Sequence, residues 1–334
     1  NDIKTLWDTV TSLENYAWRS DLSRIEILDE VHFVEYTKDG FATTFTITVQ
    51  EECKRWEFDM DNANMKGHWT AAVIENGEGK IVDLWNPGKD FFTTLSPSGE
   101  HRGIRELFGY APWYFNMPLD GFGKAWRFIV DTKGFFAPCG LTNPEQRAQG
   151  YAVGYDFNRS ACRRDGPCWP YDTSLALTAF ANALRSGDEM PVGPAEYLVL
   201  LHQYAAAHRR RLEDGRTVSW IDENLDPFTG EWMARAIFRI QGKKTHYERG
   251  KDYNHSTFCD LVISGLCGIC PQLDDRIVIR PLASPHWRYF RLSNLFYHGR
   301  SITVSWDRTG DYYGEGKGFS VHVDGVERFR SDEL

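Results

Sequence analysis

From Arg102 onward, helical stretches in this 334-residue chain alternate with long loops rich in glycine, proline and aromatic residues. That alternation restricts the folds open to it. The loops are Gly109-Tyr110-Ala111-Pro112-Trp113-Tyr114-Phe115, then Gly134 to Gly140, then Cys162 to Tyr171. One helix is expected from Asp172 or Thr173, through Leu175, Leu177, Phe180, Ala181 and Leu184, to a stop near Gly187. A second starts after Gly193-Pro194 and carries Tyr197, Leu200, Leu201, Tyr204 and His208 on one face. A third is expected from Ser256 to Cys270, bounded by Pro271. Helices joined by such loops gather the loops at one end of a bundle, where functional residues concentrate.

The two ends of the chain have a different texture. Trp7, Val10 and Leu13 have helical spacing, whereas Phe41 to Val49 alternates like a strand. From Asp274 the pattern is again strand-like, in Arg276 to Ile279, Ser301 to Trp306 and Phe319 to Val323. Turn signals at Asp307 to Gly310, Gly314 to Gly318 and Asp324-Gly325 separate these runs. They predict a small antiparallel module over 273–334.

Composition narrows the function. A net charge of -9 argues against nucleic-acid binding, which needs clustered cations. The one dense basic run, His208 to Arg211, is expected to close a helix and complement its C-terminus. No apolar run reaches the roughly 20 residues of a membrane span. Seven cysteines cannot all pair within the chain, and Cys267 and Cys270 read as buried small residues rather than as a metal site. Aromatic residues make up 14% of the chain, which suits either a packed core or surfaces on which sugar rings stack. The terminus Ser331-Asp332-Glu333-Leu334 matches an endoplasmic-reticulum retrieval signal or is an acidic tail. The secretory pathway, the cell exterior, the periplasm and the cytoplasm all stay open as locations.

Three segments carry candidate chemistry. Trp220 to Trp232 holds four carboxylates and two tryptophans around a Pro/Gly turn. Glu223, close to Trp220, is a candidate general acid or base, because an aromatic wall tunes a carboxylate's pKa. A solvated acidic turn at Asp226-Pro227 is the alternative. Cys162 to Asp172 contains Gly166-Pro167 and Trp169-Pro170, a stiff path into a helix. It forms either a stacking platform with Arg164 or Asp165 binding hydroxyls, or a loop plug. In Glu248 to Thr257, Asn254 or Ser256 suits a helix cap, and His255 is either a structural histidine or part of a site. No P-loop, G-x-S-x-G elbow or H-E-x-x-H is present, and no cofactor or metal is implied.

Taken together, these segments resemble the six-hairpin (α/α)6-barrel glycosidases, especially the mannosylglycerate-hydrolase-like and glycoside hydrolase family 63-like proteins. The resemblance spans Leu84 to Gly325. It rests on Leu84-Trp85-Asn86-Pro87 to Phe91-Phe92, Gly109 to Phe115, Asp165 to Pro170, Trp220 to Gly230 and Asp252 to Asp260. In the C-terminal module it rests on Tyr297 to Arg300 and Trp306 to Arg308.

The resemblance implies a mainly α fold, an (α/α)6 toroid over 1–272, with 1–80 poorly matched, and a β-sandwich-like module after it. It implies hydrolysis of a glycosidic bond in an oligosaccharide or glycoside, by inversion. Glu223, in the E-x-x-x-P-x-T-G pattern ending at Gly230, would be the general base. The R-G-P-x-W loop of the family resembles Arg164 to Trp169, with Asp165 inserted. The general acid would be Asp21, with Asp61 as the alternative. Trp113, Arg164, Asp165, Trp169, Tyr171, Trp220, Asp252 and His255 would bind the sugar. A non-catalytic carbohydrate-binding or assembly protein, or a glycoside phosphorylase, would also suit the scaffold.

Overall fold

The computed structural model describes residues 3–19, 21–72, 84–96, 98–117, 121–154, 163–243, 251–252, 256–272 and 274–334. The chain divides into two compact units, Asn1–Lys80 and Ile81–Leu334.

The first unit is a helix, α1 (Ile3–Thr11), and a five-stranded antiparallel meander. Its strands are β1 (Leu22–Ile27), β2 (His32–Thr37), β3 (Ala42–Glu51), β4 (Arg55–Asp61) and β5 (Lys66–Ala72), side by side in chain order. Short polar side chains make the turns. Asp29 Oδ1 accepts the Val31 and His32 N–H groups, and Asn62 Oδ1 accepts those of Asn64 and Met65. One sheet face buries Phe33, Phe45, Trp56 and Phe58 with Trp7 of α1. The Phe33 and Phe45 rings stack at 4.8 Å. Residues 22–72 are therefore hairpins and not the helices a toroid would need here, because alternating apolar residues bury only on a pleated face.

The second unit opens with a short hairpin, β6 (Trp85–Asn86) and β7 (Phe91–Phe92). A 3-10 turn, Leu107–Tyr110, leads into α2 (Ala111–Tyr114), and a second 3-10 segment spans Gly123–Ile129. After the hairpin β8 (Phe136–Ala137) and β9 (Gly140–Leu141) come the two long helices, α3 (Pro170–Ser186) and α4 (Pro194–Ala207). Each has proline in its first turn, and α3 ends on Gly187 at φ +87°. The core is aromatic. Trp126 is sandwiched between Tyr110, at 4.1 Å, and Phe180 of α3, at 4.8 Å. The apolar face of α4 buries Tyr197, Leu200, Leu201 and Tyr204. Their hydroxyls reach across the core, Tyr197 to the Leu261 carbonyl and Tyr204 to the Pro170 carbonyl, each at 3.1 Å.

The chain then forms β10 (Arg209–Arg211) paired with β11 (Thr217–Ser219), and α5 (Met233–Ile240). The basic run is thus a strand; α4 stops at Ala207 and the arginines bond to Thr217–Ser219 instead of continuing the helix. The expected third helix is shorter than its apolar run. α6 (Ser256–Asp260) passes into a π-helical stretch, Leu261–Leu266, and the chain then extends as β12 (Ile269–Cys270), paired with β13 (Val278–Ile279). Gly268, at φ +81°, ends it where a side chain would strike the Arg280 carbonyl carbon at 2.2 Å.

The C-terminal module is one four-stranded antiparallel sheet of β14 (Tyr289–Tyr297), β15 (Arg300–Asp307), β16 (Gly318–Val323) and β17 (Val326–Ser331). Ile302, Val304, Trp306, Phe319 and Val321 pack on Cys267 and Ile269, so the opposing layer is the β12 region and not a second broad sheet. Asp324-Gly325, both at positive φ, is the two-residue turn that joins β16 to β17. Among the described residues the two long helices do not close a ring. No described helix is long and apolar enough to cross a membrane. Truncating Phe180 to Ala should destabilise the protein by about 3–5 kcal/mol, because it empties one side of the Trp126 sandwich. The urea midpoint of the variant measures this.

Candidate active site

Four loops of the second unit are hydrogen-bonded to one another. Cys168 and Leu225 exchange both backbone bonds, at 2.9 and 2.8 Å, which joins the Gly-Pro-Cys-Trp-Pro loop to the acidic loop. The Cys139 N–H donates to the Pro227 carbonyl at 2.7 Å, and the Asp252 N–H to that of Ile221 at 2.9 Å. Below them lies a small apolar cluster of Cys168, Ile221, Leu225 and Trp232.

Within the acidic loop each carboxylate has a different setting. Asp226 Oδ1 accepts the Phe228 and Thr229 N–H groups at 2.8 and 3.1 Å, and the turn closes at Gly230 with φ +74°. Asp222 is fully buried and ion-paired at 2.8 Å with Arg235 of α5, itself only 3% exposed. Burial pushes the Asp222 carboxyl up, opposed by the Trp220 indole N–H and by Arg235. Glu231 pairs with Arg239 at the rim. From Ile221 to Pro227, Glu223 is the one half-buried residue; the other six are buried. A carboxylate on a stretch anchored this firmly is preorganised for chemistry.

The second part of the site surrounds Asp172, in the first turn of α3 and fully buried. Arg164 Nη1 donates to its two oxygens at 2.5 and 2.6 Å, and Asn143 Nδ2 donates at 2.8 Å. Asn143 Oδ1 in turn accepts the Leu107 N–H at 3.2 Å. The Arg164 guanidinium lies over Trp169 and Phe108, 4.5 and 5.3 Å from the ring centres. Burial pushes Asp172 up, resisted by Arg164 and Asn143. Glu106, beside Leu107, is half-buried, and burial together with the charge of Asp172 raises its pKa against the pull of Arg164.

The other expected site residues fall into four groups. Arg164, half-buried Trp220 and exposed Asp252 lie on the joined loops, exposed Tyr171 is in the first turn of α3, and Asp165 pairs with Arg163. Trp113 and Trp169 do not form the expected sugar platform, since both are buried and offer no face to a sugar. Trp113 packs on Tyr110, Trp126 and Phe92, and Trp169 caps α3 with its indole N–H on the Arg163 carbonyl. Asp21, in the first unit, is exposed and paired with Arg19 at 2.8 Å, which holds its carboxyl below the usual range. A general acid needs the opposite shift. Asp61, also in the first unit, is likewise exposed and paired with Lys66. His255 lies outside the described residues. Glu106 had no signal in the sequence, because its setting is made by Asn143, Arg164 and Asp172.

With this geometry in hand, similarity to known proteins is informative. Residues 60–256 match the mannosylglycerate hydrolase MGH1-like glycoside hydrolase domain. The chain belongs to that family. Residues 272–327 match the C-terminal domain of glycosyl hydrolase family 65, in agreement with the β module. A solved structure titled "Sialidase" is 38% identical over 75% of this chain, with a TM-score of 0.65. The chain spans 22% of that protein's length.

Two measurements test the electrostatics. Arg235→Met should cost about 3–5 kcal/mol by stranding the buried Asp222 carboxylate. Adding Asp222→Asn should recover part of that loss in urea unfolding. Glu106→Gln should stabilise the fold in a pH-dependent way. A carboxyl whose folded pKa exceeds its ordinary 4.5 supports the fold fully below that pH and loses the contribution as pH rises through the folded value. The variant's advantage should thus be absent near pH 4 and grow toward pH 7 in unfolding curves.

Proposed function

We propose that this chain carries the catalytic base of an inverting glycoside hydrolase, and that Glu223 is that base. The joining of the loops bearing Arg164, Leu225 and Asp252 around the half-buried Glu223 supports this most strongly. Family membership supplies the reaction class. Glu223 removes a proton from water as its oxygen attacks the anomeric carbon, while a second carboxylic acid protonates the departing oxygen. Inversion requires room for that water, so the two carboxyl groups stand about 6.5–9.5 Å apart. Asp21, ionised beside Arg19, is unsuited to the acid's part.

Arg164, Tyr171, Trp220 and Asp252 then shape the sugar site. Trp220, with the Arg210, Arg235 and Lys251 cations 4.9, 5.5 and 5.6 Å from its ring centre, walls the side nearer the base. The helical part, ending near residue 272 where the β module starts, is proposed to belong to an (α/α)6 toroid. The family match and the α3–α4 hairpin are consistent with it.

Glu223→Gln should lower turnover by about 10²–10⁴-fold, the usual contribution of a general base, with an unchanged unfolding curve. Hydrolysis of a panel of disaccharides and aryl glycosides measures it, and NMR of the first-formed anomer reports inversion. Undiminished turnover by the variant would refute the assignment, and turnover that depends on phosphate would make the enzyme a phosphorylase.

A further inference from the structure

Around Asp172, the residues Glu106, Phe108, Arg164 and Tyr171 have the composition of a sugar subsite. The backbone around Glu106 is held rigidly on both sides. Arg105 donates to both oxygens of the buried Glu145, at 2.7 and 2.9 Å, and to the Lys89 carbonyl. The Leu107 N–H is taken by Asn143, and the Glu106 carbonyl accepts the Gly109 N–H at 2.8 Å. A side chain at Gly109 would meet Phe91 at 2.2 Å and the Phe92 carbonyl oxygen at 2.5 Å, so the turn lies hard against the core. Among the described residues the Glu106 carboxylate accepts no hydrogen bond. A half-buried carboxylate on so stiff a mount has acceptor capacity left for a ligand.

Its surroundings complete the pattern. Phe108 and Tyr171 are 39% and 42% exposed, and their ring centres lie 6.5 Å apart. Arg164 lies over Phe108, with donors remaining beyond the Nη1 that holds Asp172. Two exposed rings flanked by a carboxylate and a guanidinium match the apolar C–H face and the hydroxyl edge of a pyranose. The charge balance narrows the ligand further. Arg164 is neutralised by Asp172, Arg105 by Glu145, and Arg163 by Asp165. Among the described residues Glu106 therefore adds a negative charge that these pairs leave uncancelled, which disfavours a sugar carrying a carboxylate.

We propose that Glu106, Arg164, Phe108 and Tyr171 form a subsite that binds an uncharged pyranose and excludes uronic acids. Glu106 accepts hydroxyl hydrogens and the two rings stack on the sugar face. The proposal rests on the glycosidase function above for its biological sense, and its test does not depend on turnover. Saturation-transfer NMR on the full chain should show methyl α-D-glucopyranoside or methyl α-D-mannopyranoside bound, with the strongest transfer to C–H protons of one ring face. Glu106→Ala should weaken that binding by about 10-fold or more, as expected for loss of a charged hydrogen-bond acceptor. Tyr171→Ala should abolish the transfer, and D-glucuronate should bind about 10-fold more weakly than the neutral sugar, or worse. Glu223→Gln should leave the binding intact, so loss of the base and loss of the subsite remain separable. If Glu106→Ala fails to fold, Glu106→Gln and the exposed Tyr171→Ala carry the test. Absence of transfer to both pyranosides, glucuronate binding as tight as theirs, or unaltered binding in the Glu106 and Tyr171 variants would overturn the subsite.

Discussion

The site depends on one buried carboxylate. Asp172 starts α3 in the interior, where an unpaired charge is untenable, so the surrounding chain has to bring partners to it. Arg164 comes from the preceding loop, and Asn143 from a loop 29 residues earlier. By spending its other end on the Leu107 N–H, Asn143 extends the anchorage to the segment bearing Glu106 and Phe108. One ionic group thereby sets the mutual placement of three loops that no regular element joins. The same arrangement turns the Arg164 plane onto two aromatic rings, an orientation a lysine could not supply.

A second fastening works through packing and backbone bonds. Cys168 pairs with Leu225 above an apolar cluster, and its thiol fits because residue 140 is glycine; a side chain there would lie 2.5 Å from the sulfur. Burial pushes the Cys168 thiol up to about 12, so it behaves as a small apolar group. The acidic loop is held from within by Asp226 and from α5 by the Asp222–Arg235 pair. Three carboxylates thus maintain the loop and rim around Glu223, a division of labour that composition alone does not reveal.

How far the chain could be read depended on how local the physics was. Helix α3 was legible from its apolar spacing and its stop at Gly187, although it starts at Pro170, before the expected Asp172 or Thr173, and the Asp324-Gly325 turn because its backbone demands such residues. The basic run was misread as a helix terminus, since its pairing with Thr217–Ser219 is decided by a partner several residues away. Strand β14 was missed because its register shifts between Leu292 and Leu295, with Asn294 at φ +58°, and the apolar alternation slips there. Trp113 and Trp169 have the composition of a sugar platform, but whether an aromatic ring is packed or exposed depends on what lies across from it.

By itself, then, the order of residues determined the turns, the two long helices, the alternating strands and the loop that carries Glu223, because each follows from backbone preferences and periodicity over a few residues. Tertiary structure decided which carboxylates are buried, which rings face solvent and which loops touch. Glu106 is the sharpest case. Its environment comes from side chains 37 to 66 positions along the chain, and a carboxylate takes its character from the charges and dielectric around it, which only folding brings together.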